Sequence, residues 1–278
     1  MVSNTLHRLT DGIAGQIDRY EHVDFGALHA RNVDVWLPVG YDPHAHPYPL
    51  IIAQDGQNLF IPSESFVGID WGVDEMMHHL ISAGEVRPAV VVGVWNSSKR
   101  LQEYMPEQPL APHRYHKMKA SFAKRFGGVP CSDAYLWQLI NRVIPFVEAE
   151  YNVTSESSER FLMGSSMGGL ISLYGLCQYS DHFGGAACLS TSLTIIGEAL
   201  HDYIDASSLD PNRHRVYLDY GVEGETPAYE RAMQRLERQF KHRGYREGQL
   251  EVVEEPGAPH SEAAWRGRLD RPLRFLLG

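Results

Sequence analysis

The chain has 278 residues, of which 43% are hydrophobic, and its formal net charge at pH 7 is −10. This length and apolar content are enough for one substantial core, and we expect a single domain over residues 1–278. The acidic balance disfavours both a nucleic-acid partner and binding to an anionic membrane surface. The sequence contains neither a run of eighteen apolar residues nor a secretory signal pattern, so it predicts no membrane span and a cytoplasmic location.

The apolar pattern predicts strands that alternate with helices. Most of the predicted strands are continuous apolar runs, which is typical of strands buried on both faces of a sheet. This alternation predicts an α/β fold with a mostly parallel central sheet and helices on both faces. Strands are predicted over 31–37 (in a β-like segment 20–37), 50–53, 89–94, 161–163, 186–189, 215–220 and 250–253. Helices are predicted over 74–83, from 132 or 133 to 147 with a kink at Pro145, from the turn after 163 through 176, from 227 to 243, and around 264–269.

Residues 101–129 are the least regular part of the chain and contain three prolines and several aromatic residues. Long loops of this kind are often lids or binding loops, so we interpret the segment as a lid or substrate-binding excursion. A surface excursion without a role is an equal alternative. Arg100, just before the segment, is expected either to bind an anionic group of a substrate or to pair with Glu103.

The three cysteines, Cys131, Cys177 and Cys188, are odd in number and have no C-x-x-C spacing. This pattern predicts neither a disulfide framework nor a zinc site. Cys177 and Cys188 lie in apolar surroundings and are expected to be small core residues.

The segment Gly164-Ser165-Ser166-Met167-Gly168 fits the pattern G-x-S-x-G between a predicted strand and a predicted helix. In a nucleophile elbow, such a turn presents a serine hydroxyl at the N-terminus of the helix, and glycines are needed because the backbone is strained and the packing is close. A small-residue turn without chemistry is the alternative. The glycines do not fit G-x-G-x-x-G, and the lysine of a P-loop is missing, so nucleotide binding is disfavoured.

A serine nucleophile needs a base and a third group that orients the base. In α/β-hydrolases these residues occur in the chain order Ser, Asp or Glu, then His. His260 follows the last predicted strand in a Pro/Gly loop and is the best candidate base. For the acid we favour Glu223, with Glu225 as a close alternative and Asp219 as a third candidate.

Two backbone N–H groups are expected to form an oxyanion hole. One belongs to Met167, directly after the nucleophile, and the other to Gln57 in the loop Asp55-Gly56-Gln57 that follows an earlier strand. Alternatively, Asp55-Gly56 only makes a turn. The candidate substrate-binding residues are Asp55, Asn96, Arg100 and Tyr104.

Together these motifs resemble the esterase D family of α/β hydrolases, which includes enterochelin esterase-like enzymes, feruloyl and acetylxylan esterases, S-formylglutathione hydrolase and mycolyltransferases. The resemblance implies an α/β-hydrolase fold, with Ser166 as nucleophile and His260 as base. It also implies Gln57 and Met167 as oxyanion donors. It leaves the acid open, because members place this residue at different distances after the loop glycine. The resemblance extends over nearly the whole chain, in residues 31–38, 50–60, 71–75, 95–96, 100, 103–104, 164–169, 219–221 and 260–265.

The sequence therefore predicts a serine carboxylic-ester hydrolase that forms an acyl-enzyme on Ser166, with a small-molecule ester as substrate and no metal or organic cofactor. An acyltransferase that uses the same site with a sugar or alcohol acceptor is the alternative. A non-catalytic α/β-hydrolase that serves as a binding scaffold is less favoured, because a serine, an acid and a histidine are all available. Siderophore, feruloyl, acetyl-sugar and thioester substrates are all compatible with these residues.

Overall fold

A computed structural model of the protein describes residues 5–24, 26, 28–224 and 226–278. The described residues form nine strands: β1 (Thr5–Leu9), β2 (Gln16–Val23), β3 (Arg31–Leu37), β4 (Leu50–Gln54), β5 (Val90–Val94), β6 (Arg160–Ser165), β7 (Gly185–Leu189), β8 (Arg215–Glu223) and β9 (Leu250–Pro259). They also form the helices α1 (Val73–Ser82), α2 (Arg100–Tyr104), α3 (His116–Phe126), α4 (Ser132–Gln138), α5 (Ile144–Glu150), α6 (Met167–Gln178), α7 (Glu198–Ala206), α8 (Pro227–His242), α9 (Glu262–Arg266) and α10 (Asp270–Leu277).

The strands form one sheet in the order β1-β2-β3-β5-β4-β6-β7-β8-β9. The pairs β1–β2, β2–β3 and β3–β5 are antiparallel. The pairs β5–β4, β4–β6, β6–β7, β7–β8 and β8–β9 are parallel. The predicted mostly parallel sheet is therefore confirmed. Because parallel strands end at the same edge, the segments that follow β4, β6, β7, β8 and β9 meet at one edge of the sheet.

The four central strands β4 to β7 are buried along their whole length, which explains their continuous apolar sequences. Leu170 of α6 and Leu236 of α8 belong to the hydrophobic cluster on one face of the sheet. Leu80 of α1 and Leu273 of α10 belong to the cluster on the other face. The helices thus cover both faces, as predicted.

Strands β8 and β9 are longer than predicted. β8 reaches Glu223 and β9 reaches Pro259, so residues expected to form exit loops pair with each other instead. The prolines of β9 are tolerated because β9 is at the edge of the sheet, where a missing N–H breaks no ladder between inner strands. A glycine is required at position 221 because the backbones of β8 and β9 approach closely there, and a Cβ would lie 2.0 Å from the carbonyl oxygen of Ala258.

The start of α8 and the interruption at Pro145 follow signals in the sequence, whereas the helix predicted around 264–269 is divided into α9 and α10. The side chain of Thr226 accepts a hydrogen bond from the N–H of Tyr229, and Pro227 is the first residue of α8, as predicted. The interruption that Pro145 predicts is present as a π-helical segment, Leu139–Val143, between α4 and α5. Such a segment accommodates a proline, which lacks the N–H that a regular helix needs.

The expectation that 101–129 is a long irregular loop is wrong, because the segment is mostly helical and is attached to the helices around it. It contains most of α2, two short 3-10 turns and α3. Arg114 donates a hydrogen bond to Asp202 of α7 at 2.6 Å, and the hydroxyl of Tyr115 contacts the same carboxylate. A role as a lid stays a prediction. In the part of the chain that the structure describes, no helix is both long enough and apolar enough to cross a membrane.

Candidate active site

Ser166 lies at the turn between β6 and α6, at the edge where the parallel strands end. Its φ of 56° and ψ of −118° are rare for a residue with a side chain, and this strain is typical of a nucleophile elbow. The flanking glycines allow the turn to be this tight, because a Cβ on Gly164 would lie 2.6 Å from the carbonyl group of Gly168. The Ser166 side chain is half-buried at the N-terminus of α6.

The last residue of β7 and the loop that follows it hold Ser166 through three hydrogen bonds. The N–H of Ser166 donates to the carbonyl of Leu189 at 2.8 Å, and the N–H of Ser192 donates to the carbonyl of Ser166 at 3.1 Å. The hydroxyl oxygens of Ser166 and Ser192 are 3.0 Å apart. Ser192 was not predicted as a site residue, because a serine in a Ser-Thr-Ser loop matches no motif. Only the pairing of β6 with β7 brings it to the nucleophile.

Asp219, one of the three candidate acids, is fully buried in β8 and paired with Arg268. Its carboxylate accepts hydrogen bonds from Arg268 at 2.8 Å, from the N–H of Ser190 at 3.2 Å and from the hydroxyl of Tyr217 at 3.3 Å. Burial raises the pKa of Asp219, and the hydrogen bond from Arg268 opposes this effect. These partners favour a structural role for the carboxylate.

The buried ion pair is connected to His260 through Ser190 and Trp265. The hydroxyl of Ser190 accepts hydrogen bonds from Arg268 at 2.9 Å and from the indole N–H of Trp265 at 3.0 Å. The Trp265 ring meets the His260 ring nearly perpendicularly, with centroids 5.1 Å apart. One set of contacts therefore connects His260 to the loop after β7, which is hydrogen-bonded to Ser166.

Glu223 is the exposed last residue of β8, and its backbone is paired with Pro259, next to His260. This register brings the end of β8 beside the histidine. Glu225, the alternative acid, lies outside the described residues. The assignment of Glu223 or Glu225 as the acid stays a prediction.

The two predicted oxyanion donors lie at the ends of the neighbouring strands β4 and β6. Gln57 is in a 3-10 helix, Gly56–Asn58, that follows Asp55 in a left-handed conformation with φ 57° and ψ 48°. Met167 is the first residue of α6. N–H groups in the first turn of a helix have no acceptor within that helix. The two turns approach closely, because a Cβ on Gly168 would lie 3.1 Å from Oδ2 of Asp55.

The four predicted substrate-binding residues contact one another. The Asp55 carboxylate accepts hydrogen bonds from Nε and Nη2 of Arg100 at 2.6 and 2.7 Å and from the amide of Asn96 at 2.6 Å. The hydroxyl of Tyr104 accepts the Asp55 N–H at 3.2 Å, and its ring lies 5.1 Å from the Arg100 guanidinium. The Arg100 charge is thus already paired. The cluster supports the turn that carries Gln57.

The predicted alternative pairing of Arg100 with Glu103 is wrong. Glu103 is fully buried and accepts two hydrogen bonds from Arg31, at 2.9 and 2.8 Å, and one from Ser97 at 2.9 Å. The two side chains of α2 therefore have different partners. Glu103 meets an arginine from the start of β3, and Arg100 meets Asp55 at the end of β4.

A comparison with known sequences is consistent with this geometry. A family model described as "Putative esterase" matches residues 28–276. The chain belongs to this esterase family. The uncharacterized protein YbbA of Bacillus subtilis (strain 168) is 28% identical to this esterase over 257 residues, which cover 89% of this chain and 93% of YbbA.

Solved structures of other esterases are similar to this esterase. The enterobactin esterase FES from Shigella flexneri, in the presence of 2,3-di-hydroxy-N-benzoyl-serine, has a TM-score of 0.65 at 17% identity, covering 99% of this chain. This chain spans only 59% of the length of that protein. The feruloyl esterase module from Clostridium thermocellum, complexed with sinapinate, has a TM-score of 0.63 at 19% identity, covering 97% of this chain and 93% of that module. These likenesses confirm the predicted α/β-hydrolase fold.

Proposed function

We propose that this esterase cleaves small carboxylic esters through an acyl-enzyme formed on Ser166. The observation that carries the proposal is the strained backbone of Ser166 at the N-terminus of α6. Strain of this kind is stored where chemistry requires an exposed nucleophile. The end of β9, which precedes His260, and the end of β4, which precedes Gln57, belong to the same edge of the sheet.

In the proposed reaction, Oγ of Ser166 attacks the ester carbonyl carbon while His260 takes its proton. The N–H groups of Gln57 and Met167 stabilise the oxyanion of the tetrahedral intermediate. When the intermediate collapses, the C–O bond to the alcohol breaks and His260 protonates the leaving oxygen. Water then attacks the acyl-enzyme with His260 again acting as base, which releases the acid and regenerates Ser166.

We assign the orientation of His260 to Glu223, with Glu225 as the alternative. The pairing of Glu223 with Pro259 supports this choice, because it brings the end of β8 next to His260. The set of hydrogen bonds around the Asp219 carboxylate argues against the third candidate.

The test is Ser166→Ala in the full chain, assayed with 4-nitrophenyl acetate. We expect kcat to fall by about 10³-fold or more, because the nucleophile of an acyl-enzyme mechanism is removed. The matched control is Ser165→Ala, which removes the hydroxyl of the buried neighbouring serine. A fluorophosphonate probe should label the wild type and Ser165→Ala but not Ser166→Ala. Wild-type turnover in Ser166→Ala would contradict the mechanism.

A further inference from the structure

A loop with exposed apolar side chains follows the proposed oxyanion turn. The exposed fractions of Phe66, Val67 and Ile69 are 83%, 52% and 41%. Single exposed apolar residues are common on protein surfaces, but a contiguous group often marks a place that a ligand or partner covers. We refer to Phe66, Val67 and Ile69 together as the apolar ridge.

The ridge is attached to the turn that carries Gln57. Asn58, the next residue, accepts a hydrogen bond from the N–H of Phe66 on its side-chain oxygen at 2.9 Å. The carbonyl of Asn58 accepts the N–H of Trp71 at 2.8 Å. Both ends of the loop are therefore tied to one residue, and the ridge is fixed relative to the proposed oxyanion donor.

The other side of the loop is attached to the segment that follows His260. Arg266 of α9 makes an ion pair with Asp70 at 2.7 Å. The rings of Trp71 and Trp265 have centroids 5.9 Å apart, and Trp265 also contacts His260. The loop is thus held between the segments that carry the proposed oxyanion donor and the proposed base. The ridge is therefore connected on both sides to segments that carry proposed catalytic groups.

We propose that the apolar ridge binds an apolar group of the ester substrate and that Phe66 determines specificity for such esters. This inference rests on the proposed function. A surface that is already ordered loses little conformational freedom when it binds, so contact with a long apolar group stabilises the transition state. Methyl acetate, whose groups have one and two carbons, offers no long apolar group to the ridge and serves as the short reference. The apolar group is either the acyl chain or the alcohol, and both sources share the same chemistry.

The test compares Phe66→Ala with the wild type on three esters by titration of the released acid. Methyl acetate is the short reference, methyl octanoate extends the acyl group, and octyl acetate extends the alcohol, all below their micellar concentrations. We expect kcat/KM to fall about tenfold for one of the long esters and to stay unchanged for methyl acetate. The long ester that is affected identifies which part of the substrate contacts the ridge. Phe66→Leu should recover most of the loss.

The matched control is Leu6→Ala, which truncates another exposed apolar side chain on β1, the strand at the far edge of the sheet. Equal kcat/KM in Phe66→Ala and the wild type for both long esters would overturn the inference. So would an equal fall for all three esters, because that result indicates a disturbed oxyanion turn. A change in oligomeric state with unchanged kinetics would mean that the ridge binds a second copy, and would also overturn it. If the wild type hydrolyses none of the esters, the proposed function itself fails.

Discussion

Replacing Asp219 with alanine should destabilise this esterase by several kcal/mol, because it leaves a buried cation without its partner. The side chains of Asp219 and Arg268 are 0% and 5% exposed and lie 2.8 Å apart. Breaking a buried ion pair by removing one partner costs about 3–5 kcal/mol. Since domains are stable by about 5–15 kcal/mol, this is a large part of the total.

The surroundings of Arg268 support the upper half of that range. After the substitution, among the residues that the structure describes, its Nη2 keeps only the hydroxyl of Ser190 at 2.9 Å, and its Nη1 keeps the carbonyl of Ala264 at 3.2 Å. Its Nε already has no partner within the described part of the chain. Replacing both charges, as in Asp219→Ala with Arg268→Met, should recover part of the loss, because no unpaired charge is left buried.

The assay is urea unfolding at pH 7, followed by tryptophan fluorescence, together with kcat/KM at a temperature where each variant is folded. The control is Asp181→Ala, which breaks an ion pair with Arg213 whose side chains are 81% and 52% exposed. That change should cost less than about 1 kcal/mol. Asp219→Asn should keep most of the activity of the folded protein. If Asp219→Asn unfolds like the wild type but loses about 10⁴-fold in kcat, Asp219 is the catalytic acid and the structural interpretation is refuted.

Two further predictions concern Ser192 and Asp74. Ser192→Ala removes the hydroxyl 3.0 Å from that of Ser166 and should lower kcat about fivefold in steady-state assays, with Ser192→Thr restoring most of it. An unchanged kcat would show that this contact has no effect. Burial raises the pKa of the Asp74 carboxyl above its ordinary value of 3.8. The contribution of the neutral carboxyl to the free energy of unfolding is therefore fully present below pH 3.8 and is lost as the pH rises through the raised pKa. Asp74→Asn should therefore gain stability relative to the wild type over that interval, as measured by urea unfolding from about pH 3 to pH 7. A difference that is independent of pH would contradict this.

The central strands were predictable because a strand that is buried on both faces has a nearly continuous run of apolar residues in the sequence. Each of the strands β4 to β7 is buried along its whole length and contains a run of apolar or small residues. β1 was not predicted, because its side chains are largely exposed and show no alternation. Its place in the sheet comes from backbone pairing with β2, which leaves no periodic signal in the sequence.

The parts of the candidate site that consist of consecutive residues were predictable from the sequence. The elbow around Ser166 and the turn at Gln57 are encoded by a few consecutive residues, so their patterns are visible in the sequence. The contacts that support them join residues far apart in the chain. Asp219 and Arg268 are 49 positions apart, and Arg100 and Asp55 are 45 positions apart. Neither pair has a sequence signal, because the partners meet only after the sheet has formed.

The position of His260 relative to β8 depends on an irregularity that the sequence does not reveal. Gly221 pairs with Glu255, and Glu223 pairs with Pro259, so β9 advances four residues while β8 advances two. In a regular ladder, the partner of Glu223 would be residue 257, and His260 would lie three residues beyond it. The two extra residues in β9 leave His260 only one residue beyond the pair, which is about 6.6 Å closer along the strand. This shift brings the backbone of His260 next to that of Glu223. It also interrupts the alternation of side chains between the two faces of the strand, so the sequence position no longer tells which face a side chain occupies. Strand alternation therefore does not identify the acid, whereas the register of the last two strands favours a carboxylate at the end of β8.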